Sequence, residues 1–369
     1  MERSKTLDIL RALAIFLVLG RHLVISKIYI NKFFTMILEG LVRGGWVGVD
    51  LFFVISGFLI SGLLFKEYNK YGFISFKNFF IRRGFKIYPA YYTLIAVTLG
   101  VLFFKRQPVD IKSVVSSVFF VQNYTSAFLF RWIHTWSLAV EEHFYIILPL
   151  LLIWLTRINK FNKNPFKSIP VITLFISLIC LVARFFTGII APYSTYTHQF
   201  PSHLRIDSLF FGVLISYFYH YHPDKFNRVS KRYKFLFLFT GAALLLPAFL
   251  FDQESYFFMP TVGFTMFYLG SGLILAAVAS DELRPNMFVK GTAYVGSHSY
   301  SIYLWHLPVA LWLLPYMKGL MTGYWNWVFN VIVYVGGSIA IGIIMANIVE
   351  FPMLKIRDRF YPSRTKSPL

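Results

Sequence analysis

The sequence predicts an all-α, polytopic membrane protein of about ten transmembrane helices with both termini cytoplasmic. Three observations predict it. Of the 369 residues, 57% are hydrophobic and only 14% charged, with a mean hydropathy of +0.61, whereas a soluble domain carries about a quarter charged residues. Apolar runs long enough to cross a bilayer, about 17–25 residues, recur along the whole chain. Lysine and arginine concentrate in every second connection between those runs. The net charge of +20 invites a nucleic-acid reading. The alternation of basic and apolar segments argues against that class and for topology.

Taken in order, the apolar runs are 7–25, 46–65, 89–104, 135–156, 169–190, 204–221, 235–251, 260–280, 294–315 and 326–350. The first lacks a small-residue cleavage site and carries Arg11 and Arg21, so it reads as a span and not as a removable leader. With the N-terminus inside, the connections 1–6, 66–88, 157–168, 222–234, 281–293 and 351–369 hold 24 of the 36 basic residues, and the opposite connections hold 8. That bias places both termini in the cytoplasm. The outer connection 105–134 contains VVSSVFFVQNY, too short to span and expected as an interfacial or re-entrant helix. Residues 1–354 form one transmembrane domain, and 355–369, KIRDRFYPSRTKSPL, form a basic tail suited to anionic lipid. The single Cys180 lies in an apolar run, as a small buried hydrophobe does, and leaves no intramolecular disulfide to form.

Ionisable residues inside these runs mark the functional layer, because such groups are costly in a bilayer and face a protein interior or a water-filled path. Arg11 and His22 lie eleven residues apart in the first span. They share a helix face and are separated by about 16 Å along it. His22, Asp50, the adjacent Glu141 and Glu142, Arg205 with Asp207, and His306 all fall in the outer part of their spans. One such residue could be a snorkelling or end-marking side chain; their convergence from five helices asks for a shared site. A neutral imidazole beside a carboxylate is a general base for a hydroxyl, and arginine suits a phosphate or an oxyanion. No metal-binding helix motif and no G-x-S-x-G elbow occurs. The connection ending FKNFFIRRGFKIYPAYY carries Arg82, Arg83 and Lys86. These either anchor the loop to the inner surface or cradle a phosphorylated cofactor.

Together, Arg11-x10-His22, GVDLFFVISGFLI, RRGFKIYP, HTWSLAVEEHFYI, RIDSLFFG and SYSIYLWH resemble the acyltransferase 3 family, from about residue 5 to about 350. The resemblance implies a ten- or eleven-helix membrane enzyme of the cytoplasmic membrane that O-acylates envelope or exported glycans such as lipopolysaccharide. The implied donor is cytoplasmic acyl-coenzyme A, with acetyl-CoA first. Arg11 and His22 match the family's arginine and histidine, Glu141 and Glu142 its acidic pair, and Arg82, Arg83 and Lys86 its basic loop. Lys86 stands where arginine is usual, keeping the charge but losing bidentate contact.

On this reading His22, oriented by Glu142 or, second, Asp50, deprotonates a sugar hydroxyl or transiently takes the acyl group, with Arg11 holding the acyl arm. Arg82, Arg83 and Lys86 bind the donor. Glu141, Arg205, Asp207 and His306 are secondary candidates for the acceptor or the oxyanion. Some family members carry a C-terminal SGNH-type domain; this chain resembles the stand-alone form, with such a domain as a separately encoded partner. The rival reading is a transporter or flippase that uses the buried groups as a proton relay. The lack of repeated halves with matching broken helices weighs against it.

Overall fold

The computed structural model describes residues 4–23, 32–281, 283–284, 286–317, 320 and 323–362, and among them every regular element is helical. Helix α1 (Lys5–Arg21) ends where His22 leaves helical geometry. Helix α2 (Lys32–Gly44) passes through a 3-10 turn into α3 (Gly48–Tyr71). The latter stops at Gly72, whose φ of 73° is a left-handed value that only glycine adopts without a Cβ penalty. Ser75 caps α4 (Phe76–Phe104), its hydroxyl accepting from the Asn78 N–H at 3.3 Å. Asp110 caps α5 (Ile111–Val118) through the N–H groups of Lys112 and Ser113.

The short α6 (Gln122–Thr125) and a 3-10 turn (Ile133–Thr135) lead into α7 (Trp136–Ile158), followed by α8 (Ile169–Ile190) and α9 (Ile206–Tyr221). Helices α10 (Pro223–Arg232) and α11 (Lys234–Leu250) form a pair bent by 75°. Helix α12 (Phe264–Val278) follows a π turn. Then come α13 (Met287–Ser297), α14 (Ser299–Pro308), α15 (Leu314–Met317), α16 (Gly323–Met345) and α17 (Phe351–Phe360).

Among the described residues, six helical segments are long and apolar enough to cross a membrane: Thr35–Tyr71, Phe76–Phe104, Ile133–Ile158, Ile169–Ile190, Met259–Val278 and Trp325–Phe360. The bent α10–α11 pair makes a seventh if it counts as one span. Of the other apolar runs, 7–25 and 204–221 are helices of 17 and 16 residues. The run 294–315 is broken at His298 and again after Pro308. Two connections are more ordered than their composition suggests. Residues 76–88 are the first turns of α4, so the Arg82–Lys86 segment is helical. Helix α17 runs across position 355, and the tail beyond 362 lies outside the described residues.

Packing separates centre from periphery. In Thr35–Tyr71, 78% of the most apolar window is buried, against 22% in α8 and 17% in Trp325–Phe360. Helix α3 is therefore the central post, and α8 and α16 present their apolar faces outward. Helices α3 and α9 meet through glycines: a methyl added at Gly57 would overlap the Leu209 carbonyl, and one at Gly212 the Val54 carbonyl. Helix α1 closes on α13 in the same way, where Gly296 sits against the Asp8 carbonyl. The end of α1, the turn before α7 and α14 meet separately, through His22, His134 and His306.

Candidate active site

The site begins with a proline. Pro308 has no N–H to give to the Leu304 carbonyl one turn back, and that carbonyl takes a hydrogen bond from His134 Nε2 at 3.3 Å. His306 Nδ1 donates to the Tyr303 carbonyl at 2.6 Å. Carbonyls only accept, so each contact fixes which ring nitrogen carries hydrogen in the neutral imidazole. The remaining lone-pair nitrogens, Nδ1 of His134 and Nε2 of His306, are buried without a hydrogen-bond partner. The ring centroids of His134 and His306 are 5.0 Å apart, and those of His306 and His22 are 5.1 Å apart. His134 and His306 are buried; His22, at the end of α1, is half-buried and is the accessible member. Among the described residues no group of three or more metal-ligating side chains is placed to hold an ion.

A cavity of ≈ 870 Å³ stops one ring short of this cluster: Tyr303 lines it and none of the three histidines does. One end lies among Ser4, Lys66, His220, Asp281 and Asp358, and the other at Val49, Ser137 and Tyr303. Tyr303 is the shared wall. Its hydroxyl donates to the His134 carbonyl at 2.6 Å and lies 2.7 Å from Ser137 Oγ, while its ring centroid is 5.4 Å from that of His134 and 5.6 Å from that of His306. Lysine and arginine outnumber aspartate and glutamate along the lining. Arg11 pairs with Asp8 at 2.9 Å. Lys86 pairs with Glu350, whose second oxygen accepts from Ser301 at 2.7 Å. Arg83 lines the cavity and makes no ion pair or hydrogen bond among the described residues; its guanidinium lies 5.9 Å from the Phe79 ring centroid. An unpaired guanidinium in a basic cavity is a seat for an anionic ligand.

A cavity with a cationic lining that ends beside paired imidazoles suits group transfer from an anionic donor. The sequence agrees with that chemistry: residues 4–347 match the family described as an acyltransferase domain. The chain belongs to this acyltransferase family. Among its relatives, a Staphylococcus aureus (strain MSSA476) protein provisionally named an O-acetyltransferase is 31% identical over 342 residues, 86% of this chain and 52% of the relative. The peptidoglycan O-acetyltransferase OatA of Listeria monocytogenes is 28% identical over 377 residues, 95% of this chain and 56% of the relative. The O-acetyltransferase OatA of Staphylococcus aureus (strain NCTC 8325) is 28% identical over 296 residues, 74% and 47% respectively. The chain thus spans about half the length of the curated relatives it matches. No solved structure matches it.

In this member of the family the other ionisable residues divide into two groups. Glu141 lines the cavity, accepting from Ser56 at 2.8 Å and Tyr145 at 2.7 Å. Glu142, about 100° further round α7, accepts from Tyr88 at 3.0 Å. Asp50 is buried against Arg205 at 2.7 Å and Ser208 at 3.2 Å. The Arg205 guanidinium lies 4.1 Å from the Phe264 ring centroid. Asp207 pairs with Arg184 at 2.8 Å, and Arg184 also reaches the Leu204 carbonyl and Thr265. These two pairs join α3, α8, α9 and α12 and are built as clamps.

The carboxylate expected against His22 is therefore absent among the described residues: Glu142 and Asp50 are both engaged elsewhere, and the ring beside His22 is His306. Arg82 does not line the cavity and is held by Asp358 at 3.2 Å and by the Tyr361 carbonyl, leaving Arg83 and Lys86 as the cavity's basic pair on α4. Sequence reasoning overlooked His134, Ser137 and Tyr303. A signal existed: HTWSL opens the same segment as the glutamates, and Pro308 stands four residues after Leu304.

Proposed function

We propose that this protein is an integral-membrane O-acetyltransferase that moves an acetyl group from cytoplasmic acetyl-CoA to a hydroxyl of a cell-envelope glycan. The observation that carries the reading is the cationic cavity ending at Tyr303, one ring away from the His134–His306–His22 cluster. The phosphates of the donor would lie at Arg83 and Lys86, with Arg11 beside the acyl arm and the thioester at the Ser137–Tyr303 end. His22 takes the proton of the acceptor hydroxyl. The resulting oxygen nucleophile attacks the thioester carbonyl, the C–S bond breaks, and the departing thiolate takes the proton back from His22. His306, with its lone-pair nitrogen fixed toward the interior, positions the His22 ring.

The Listeria monocytogenes relative named a peptidoglycan O-acetyltransferase favours peptidoglycan as the acceptor class. The positive-inside bias supports ten crossings with both termini in the cytoplasm and the donor end of the cavity facing the same side. The test is transfer of label from radiolabelled acetyl-CoA to extracted envelope glycan in membranes, wild type beside His22→Ala at matched expression. A fall of about 10²–10⁴-fold is expected for loss of a general base. Equal labelling by both proteins would overturn the assignment of His22.

A further inference from the structure

Away from the cavity, a serine and a histidine are held in a nucleophile–base arrangement that the reaction above does not use. Ser202 Oγ lies 2.6 Å from His143 Nδ1. Asn123 defines the geometry around it. Its side-chain nitrogen donates to the Phe200 carbonyl at 3.2 Å, which fixes the orientation of the amide, and also donates to Ser202 Oγ at 2.9 Å. The serine oxygen therefore accepts from the amide, and the one partner left for its own hydrogen is the His143 lone pair. That contact puts the ring hydrogen of the neutral imidazole on Nε2.

The surroundings suit a substrate with sugar rings. Tyr124 and His203 stack at 5.8 Å with an interplanar angle of 14°, and both are exposed. His143 lies 5.9 Å from Tyr124 and is half-buried, so the serine sits one side chain below an aromatic platform. Asn123 Oδ1 is buried without a partner, leaving an unused acceptor beside the serine.

We infer that Ser202 and His143 form a second acyl-transfer centre, which takes an acyl ester or thioester at the Tyr124–His203 face and passes the acyl group to a sugar hydroxyl there. Ser202 Oγ attacks the acyl carbonyl and its proton passes to His143 Nδ1. The bond from the carbonyl carbon to the leaving oxygen or sulfur breaks, and the leaving group takes that proton. The acyl-serine ester is then attacked by a sugar hydroxyl, whose proton returns through His143 to Ser202. The acyl supply and the sugar acceptor rest on the proposed O-acetyltransferase function; the nucleophile itself does not.

The test exploits that difference. Full-length protein in detergent is treated with a fluorophosphonate probe and mapped by peptide mass, which reads serine nucleophilicity without any donor. Modification of Ser202 in the wild type, lost at least tenfold in a monodisperse His143→Ala variant, is the expected result. An unmodified Ser202 in the wild type overturns the proposal whether or not acetyl transfer is observed. Membranes carrying Ser202→Ala are then assayed with radiolabelled acetyl-CoA. Glycan labelling equal to wild type would overturn the transfer role even with a reactive serine, whereas a fall of at least tenfold would support it. If wild-type membranes label no glycan, the O-acetyltransferase reading fails, and the fluorophosphonate result still decides the serine.

Discussion

At the residue scale, the arrangement depends on which backbone carbonyls are left unpaired. Pro308 frees the Leu304 carbonyl, His134 takes it, and the tautomer of His134 follows. Restoring the missing N–H should break that sequence of causes. Pro308→Ala gives the helix a donor for Leu304 and removes a helix-breaking residue, so the melting temperature should hold or rise. Acetyl transfer should fall at least tenfold as His134 loses its anchor. Unchanged transfer by a stable Pro308→Ala protein would show that the tautomer does not matter. A sequence reader can see His22 and His306 because an imidazole in an apolar run is conspicuous. His134 was harder to see: it stands at the polar edge of its segment, and its importance comes from a carbonyl 170 residues away.

At the element scale, close approach and buried charge locate the helices. Gly57 and Gly212 let the α3 and α9 backbones touch, and that contact carries Asp50 to Arg205. Gly57→Ala forces backbone against a methyl and should lower the melting temperature clearly in detergent, whereas Gly100→Ala, with open space around its Cα, should not. The Arg184–Asp207 pair is buried on both sides. Removing one partner of such a pair leaves an uncompensated charge and costs about 3–5 kcal/mol. Asp207→Ala should therefore destabilise the fold more than it changes the donor KM of the protein that remains. A large KM change at unchanged stability would return Asp207 to the binding site. Hydropathy made most helices legible, α8 to the residue at 169–190. It missed the helical start of α4 because FKNFFIRRGFKIY is too basic to score as membrane, although Ser75 caps it as a helix.

At the scale of the whole molecule, the family was legible from six short segments, because their order and spacing carry more than any single residue. The cavity was not, since it is lined by residues from most of the chain, from Ser4 to Asp358, that no local pattern joins. Its charge leads to the last prediction. Arg82 is held by Asp358 and Lys86 by Glu350, so the three basic residues of one segment are not equivalent. Arg83 alone of the three faces the cavity with no ion pair among the described residues, and a coenzyme A phosphate there would gain a charge-assisted contact of about 1.5–3 kcal/mol. Arg83→Ala should therefore raise the KM for acetyl-CoA by roughly 10- to 100-fold, with a smaller change in kcat, because the lost contact is made equally in the ground and transition states. Arg82→Ala should alter KM less, because Arg82 does not line the cavity itself and touches its wall only through Asp358. Equal KM effects for the two arginines would mean that the donor engages α17 as well, and no effect of Arg83→Ala would place the donor somewhere other than this cavity.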